Sequence, residues 1–350
     1  MSSVPYYLVA IAVLGMLMVV HEAGHYLAAR AFGMRVTKFS IGIAPILFRF
    51  QPKGSPTLFQ IGAIPFFAFV QIAGMNPLEE VDPEDKGSYA NASLLGRIVT
   101  IFAGSLANYL TASIFFLASI MATGQPELDE KGQIITTTKV RVMDGMPAAN
   151  GGMQNGDKML EVEGTAVENW EHFRQMVSSR PSQPTTIVVD RNGERVPLMI
   201  IPQQTEQGKG RIGAEAEYRT VMVPFPQALK ASLLMPPKVV GELVSSIAKL
   251  FTGKQKPELG GPAAIVKEGA RAAKAGFGEL MLLAGILSAN LAGFNLLPFP
   301  ALDGGRLIFL GYEAVSRRRP NAMIEAHVHL LGFVMLLALM VFVTWGDLKK

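Results

Sequence analysis

The chain has 350 residues, 49% hydrophobic and 17% charged, with a mean hydropathy of +0.30. That is little charge for a soluble protein and points to a membrane-embedded bundle with a soluble insert. The formal net charge is +4, but the basic residues sit in short loops beside apolar runs and form no aromatic-interleaved stripe, which argues against a nucleic-acid partner. Cysteine is absent, so disulfides and thiolate zinc sites are excluded, and any metal must be held by histidine and carboxylate.

Residues 1–31 are predicted as the first spanning segment, with its helix from about Tyr6 to Ala31. Tyr6 to Val20 is almost wholly apolar, and no basic region precedes it, so it does not read as a cleavable signal peptide. Arg30, Arg35 and Lys38 follow and put its C-terminal end on the cytoplasmic side. At 1.5 Å per residue, Tyr6 to Val20 covers ~22 Å of a ~30 Å hydrocarbon core. The next residues, His21-Glu22-Ala23-Gly24-His25, therefore fall in the inner third of the membrane. On a helix, positions i and i+4 share a face, so His21 and His25 offer two imidazole nitrogens to one metal ion. Glu22 lies beside them, placed to take a proton from a water that the metal acidifies. The bland alternative is two histidines satisfied by hydrogen bonds inside a bundle, but ionisable groups at membrane depth are expensive and functional by default.

Residues 32–94 read as a cytoplasmic-side loop with re-entrant β-hairpins. The runs from Phe39 to Pro45 and from Leu58 to Pro65 are too short and too broken by Gly and Pro to span, and need protein or a wet cavity over their backbone. Glu79 to Lys86 is an acidic linker. Residues 95–123 form the second spanning helix, with Gly104, Ser105, Ala107 and Asn108 near its middle, where small residues admit a close neighbour. Asn108 is either a cross-helix hydrogen-bonding group or a group beside the site.

Residues 124–204 are charged and turn-rich, a soluble α+β domain. Met146-Pro147-Ala148-Ala149, Gly152, Gly156-Asp157-Lys158-Met159-Leu160 and Val162-Glu163-Gly164 resemble the signature of PDZ domains, as do the helix around Trp170 to Ser178 and the strands flanking Arg191-Asn192-Gly193. Such domains bind extended chain ends by adding them as a strand. Residues 205–277 read as interfacial amphipathic helices on the outer membrane surface, interrupted at Pro236-Pro237.

Residues 278–305 form the third spanning helix, from about Leu280 to Pro298 and on into Asp303-Gly304-Gly305. Residues 306–323 are a cytoplasmic loop marked by Arg317, Arg318 and Arg319, and residues 324–346 the fourth spanning helix. His327 and His329, at its start, are expected at the interface with headgroups and water. The fold class is thus a polytopic α-helical membrane protein with about four transmembrane helices, membrane-dipping β-hairpins and one inserted α+β, PDZ-like domain.

Three protein ligands and one exchangeable water make a catalytic zinc site. Asp303 is the candidate third ligand, because it is the only carboxylate expected at the depth of His21 and His25 on another helix. The alternative is an Asp capping a helix at a Gly-rich turn. A His₂Asp set also accepts neighbours of zinc in the affinity series. The reaction that fits is peptide-bond hydrolysis within the membrane.

His21-Glu22-Ala23-Gly24-His25, Gly104-Ser105-Leu106-Ala107-Asn108, and the run Asn295-Leu296-Leu297-Pro298-Phe299-Pro300-Ala301-Leu302-Asp303-Gly304-Gly305 resemble the three motifs of the site-2 protease family of intramembrane metalloproteases, in its bacterial regulator of sigma-E protease branch. Gly260-Gly261-Pro262 is similar to a further family feature. The resemblance implies a multi-pass zinc (Zn²⁺) endopeptidase of the bacterial inner membrane that cuts a single-pass membrane protein, typically an anti-sigma factor already trimmed by another protease. It implies a periplasmic PDZ domain that filters substrates by size, Asn295 and Asn290 as holders of an extended substrate backbone, and hairpins that pair with the substrate as an added strand. The sequence departs from the pattern at Phe66-Phe67-Ala68-Phe69-Val70, where relatives carry Gly-Gly-Tyr, and at Arg306, where His is common. It has one PDZ-like unit where some relatives have two. Two other classes remain open: a membrane-anchored PDZ scaffold with a non-catalytic metal site, and a metal or proton carrier, though no internal repeat of the transporter kind is present.

Overall fold

The computed structural model describes residues 4–129, 134–143, 145–205, 208–252 and 261–348. The chain divides into two compact units, one of Met1–Ala122 with Pro224–Lys350, the other of Thr123–Val223.

The first unit begins with α1 (Val4–Ala31), β1 (Val36–Phe50), β2 (Leu58–Ile72), a 3-10 turn (Tyr89–Asn91) and α2 (Leu94–Thr123). The hairpins expected within residues 32–94 form as one folded sheet. Phe39 pairs with both Val70 and Phe59, while Phe48 and Phe50 pair with Ile61 and Phe59, so β1 and β2 double over into four antiparallel segments. Gly42 makes the bend at φ +81° and lies so close to Gly62 that a Cβ on either residue would press into backbone of the opposite strand. Glycine here bends the strands without ending them.

The second unit contains β3 (Gln125–Pro126), β4 (Thr136–Val142), α3 (Pro147–Asn150), β5 (Lys158–Val162), β6 (Thr165–Ala166), α4 (Trp170–Ser178), β7 (Thr185–Arg191), β8 (Glu194–Ile200), β9 (Gln203–Gln204), β10 (Gly210–Arg211), β11 (Ala214–Tyr218) and β12 (Thr220–Val221). Its main sheet runs β11-β4-β5-β7-β8, with β6 beside β5. Val140, Met159, Val162, Ile187 and Val189 alternate inward from the strands and pack on Phe173 and Val177, which share one face of α4 at i and i+4. Asn169 caps α4 by accepting the His172 amide.

The boundary expected at residue 204 is too early. β11 pairs with β4, and β12 pairs with β3, so the unit extends to Val223. β11 reads Ala-Glu-Ala-Glu-Tyr, which alternates but has no β-branched residue, and its strand character comes from the neighbour it pairs with.

The first unit resumes with α5 (Phe225–Phe251), α6 (Pro262–Ala275), α7 (Phe277–Asn295), α8 (Asp303–Ser316) and α9 (Ala322–Leu348). Pro236-Pro237 does not interrupt α5. Proline at 237 frees the carbonyl four residues back, and Tyr109 Oη on α2 donates to that Leu233 carbonyl at 2.8 Å. α6 packs on α1, where Gly269 leaves room for Ala10. Gly260 of the Gly260-Gly261-Pro262 stretch lies outside the described residues.

The expected loop at 306–323 is a second correction, because residues 303–316 form α8 and only a short turn follows. Pro298 and Pro300 lack amide donors and end the preceding helix early, so Asp303 starts a new helix. α8 is fixed to α2 by the buried Arg97, whose Nη1 donates to Oε2 of the partly buried Glu313 at 2.9 Å. Among the described residues, α1, α2, α7 and the Ala322–Gly346 part of α9 are long and apolar enough to cross a membrane.

Candidate active site

His21 and His25 are both buried on α1 and turn toward α2 and the start of α8. Their Nε2 atoms are 3.1 Å apart. Asp303 Oδ2 lies 3.1 Å from the first and 3.3 Å from the second. This oxygen is buried and has no hydrogen-bond partner among the described residues. Two imidazole nitrogens and a carboxylate oxygen thus converge from helices far apart in the sequence, all within 4.8 Å of one another. Ligand atoms at ~2.0–2.1 Å from a tetrahedral zinc stand ~3.3 Å from each other, which is close to the triangle observed. The donor set and its spacing fit a zinc ion.

The surroundings favour the same occupant. His25 Nδ1 faces the Thr100 carbonyl at 2.8 Å, which places a proton on Nδ1 and leaves the Nε2 lone pair pointing inward. Asn108 lies 3.3 Å from His21 Nδ1, and its Oδ1 is buried with no partner among the described residues. With the amide turned so that this oxygen accepts the Nδ1 proton, His21 presents its Nε2 lone pair as well. The Asn108 carbonyl also accepts from Ser288 Oγ at 2.8 Å, so the residue serves both as a cross-helix bond and as a group beside the site.

Glycines permit the approach. A Cβ on Gly104 would collide with both imidazole rings, and a Cβ on Gly24 would enter the α2 backbone at Ala103. Gly304 and Gly305 pack on the carbonyls of Leu296, Leu297 and Phe299, so the start of α8 folds tightly over the end of α7. Only residues without a side chain allow this.

Glu22 adjoins the triangle. Its Oε2 accepts the backbone amide of Val70 at 2.9 Å, which joins the base candidate to the folded sheet. Asn290 and Asn295 lie on the last turns of α7, half-buried, and neither side chain is hydrogen-bonded among the described residues. They are not drawn into the histidine–aspartate cluster. Thr100 and Val70 contribute through backbone atoms, and no side-chain pattern marks them in the sequence. His329 is half-buried, and its Nδ1 accepts the Ala301 amide at 3.0 Å. His327 is exposed, and its Nδ1 donates to the Met323 carbonyl of its own helix.

The sequence profile of peptidase family M50 matches residues 9–339. The chain belongs to this family, the site-2 proteases. A Nostoc sp. (strain PCC 7120) chain that carries the name of a zinc metalloprotease is 33% identical over 350 residues, covering 96% of this chain and 93% of its own. Zinc metalloprotease RasP of Geobacillus kaustophilus is 28% identical over 419 residues, covering 97% of each. The M50 protein is therefore a zinc metalloendopeptidase and a bacterial membrane protein with Zn²⁺ as its cofactor.

Proposed function

We propose that this M50 protease cuts peptide bonds inside the membrane-spanning segments of single-pass proteins, with an anti-sigma-factor-like protein as substrate. The observation that carries the reading is the meeting of His21 Nε2 and His25 Nε2, on a helix of spanning character, with Asp303 Oδ2 at the start of α8. These three residues would hold the zinc, which supplies Lewis acidity toward the scissile carbonyl and toward water. Glu22 is the general base: it takes the proton of the attacking water and returns it to the leaving amine. Its bond to the Val70 amide occupies Oε2 and leaves Oε1 for the proton.

A peptide bond in a helix is shielded by its own hydrogen bonds, so the substrate must be unwound before attack. The folded β1–β2 sheet beside Glu22 offers strand hydrogen bonding in exchange, and Asn290 and Asn295, with free side-chain amides, would hold the extended backbone. The second unit acts as a PDZ domain. Its sheet, the amphipathic α4 and the Gly156-Asp157 turn support that assignment. It lies on the periplasmic face, binds chain ends and admits only trimmed substrates, while the active site opens toward the cytoplasmic side, as the placement of Arg30, Arg35 and Lys38 supports.

The test uses purified protein with single-pass reporters whose outer portions are either long or trimmed. Cleavage within the apolar segment of the trimmed reporter, abolished by chelation and restored by zinc, is the expected result. Cleavage outside the apolar segment, or equal cleavage of both reporters, would overturn the reading.

A further inference from the structure

We propose that His329 is a positioning residue for Asp303, acting through the turn that delivers this carboxylate; the proposal rests on the zinc reading above. The turn is Pro300-Ala301-Leu302, between α7 and α8. Ala301 has φ +73°, a left-handed conformation uncommon for a residue with a Cβ and a mark of backbone held by its surroundings. Its amide donates to His329 Nδ1 at 3.0 Å. One residue earlier, Pro300 packs against Gly332, where a Cβ would collide with the Pro300 backbone. His329 and Gly332 stand at i and i+3 on α9 and so on one face, which means that a single strip of the last helix grips Pro300 and Ala301 of the turn.

The packing of Gly304 and Gly305 on the end of α7 sets how close α8 comes, and the turn sets where it begins. Leu302, at the N-cap of α8, makes no side-chain capping bond, so the direction in which α8 starts depends on the turn before it. Asp303 is the first residue of that helix, and any rotation of the turn moves its Oδ2 away from the two imidazoles.

The histidine has a second distinction. Nδ1 accepts a hydrogen bond, so in the neutral ring the proton is on Nε2, and Nε2 is buried with no partner among the described residues. His329 lines a cavity of about 620 Å³ whose other walls include Phe69, Val70, Arg306 and Glu325. Val70 holds Glu22 and His329 holds the Ala301 turn, so both parts of the site are fastened by one hydrogen bond each to walls of one cavity.

The test compares His329→Ala, His329→Asn and His329→Gln in the full-length protein, with zinc retention under a chelator titration and separate kcat and KM for a membrane reporter. The Asn oxygen can stand near the Nδ1 position, whereas the Gln amide reaches further out. The Ala and Gln variants should lose zinc at about tenfold lower chelator and lose about tenfold in kcat, with KM within about twofold, and the Asn variant should stay within about threefold of wild type in each. Wild-type zinc retention and kcat in His329→Ala, or an Asn variant as damaged as the Ala one, would overturn the proposal. If His329→Ala does not fold, Gln against Asn decides in the same way. A wild-type protein that binds no zinc would overturn the zinc reading itself, whereas zinc-loaded wild type with indifferent variants overturns only the role of His329.

Discussion

The backbone amide of Val70 donates to Oε2 of Glu22 at 2.9 Å, so the base candidate and the folded sheet share a fixed register. Replacing Glu22 with Gln keeps the size of the side chain and removes its basicity. The variant should retain zinc in full and lose cleavage by at least ~100-fold, the scale of general base catalysis. Metal analysis beside a reporter assay checks both parts, and residual cleavage above one tenth of wild type would assign the proton transfer to another group.

Asp303 is the only acidic member of the triangle, and its removal should be felt in the metal before it is felt in the fold. Asp303→Ala is expected to purify with the secondary structure of wild type but with little bound zinc. Added zinc should restore activity to chelated wild type and not to the variant. Tight stoichiometric zinc in Asp303→Ala would show that the third ligand lies elsewhere.

Gly104 gives a steric test that leaves every polar group in place. A Cβ there would stand 2.6 Å from His25 Cε1 and 2.8 Å from His21 Cε1. Gly104→Ala should displace the imidazoles and cost about 1–3 kcal/mol, the usual scale of overpacking, with zinc affinity reduced. Gly311→Ala is the control, because nothing lies within 4 Å of a Cβ at that helical position. It should leave activity unchanged and raise stability slightly. Thermal unfolding in detergent and chelator titration compare the two.

In the second unit, burial opposes ionisation of Asp157, but Arg191 outweighs it by donating from Nε at 2.9 Å and from Nη2 at 2.7 Å, and the Gln154 amide adds a further bond. The carboxyl is held below the usual carboxylate range. A depressed folded-state pKa contributes stability that is complete above the unfolded value of ~3.9 and is lost as pH falls through the lower folded one. Arg191→Met should cost about 1–3 kcal/mol near neutral pH and flatten the acid limb of the stability curve. Trp170 fluorescence in a Trp345→Phe background follows this unit, and an unchanged acid limb would place the linkage in other groups.

Much of the site was legible because membrane depth makes polar residues conspicuous. His21, Glu22, His25 and Asp303 are ionisable groups in or beside long apolar runs, and their spacing follows helical geometry. Elements set by partners were not legible. The arginines at 317–319 dominate the local composition and point to a loop, while the bond that fixes α8, Arg97 to Glu313, joins residues remote in sequence. Pro236-Pro237 points to a break in α5, and the hydroxyl that satisfies the freed carbonyl belongs to Tyr109 on another helix. The bond of His329 to the Ala301 amide joins residues 28 positions apart on different elements and leaves no mark in the sequence around either. Backbone donors such as the Val70 amide leave no trace in residue identity.

The two-residue ladder in which Gln125 faces Val221 and Pro126 faces Thr220 closes the neck of the second unit. Cα atoms across such a ladder stand ~5 Å apart, so the chain departs from α2 and returns to α5 through nearly the same point. The two ends of the second unit are thus held side by side by its own backbone bonds. A graft of one or two glycines across that ladder would replace the unit, or exchange it for a foreign domain, without asking α2 and α5 to span a new distance.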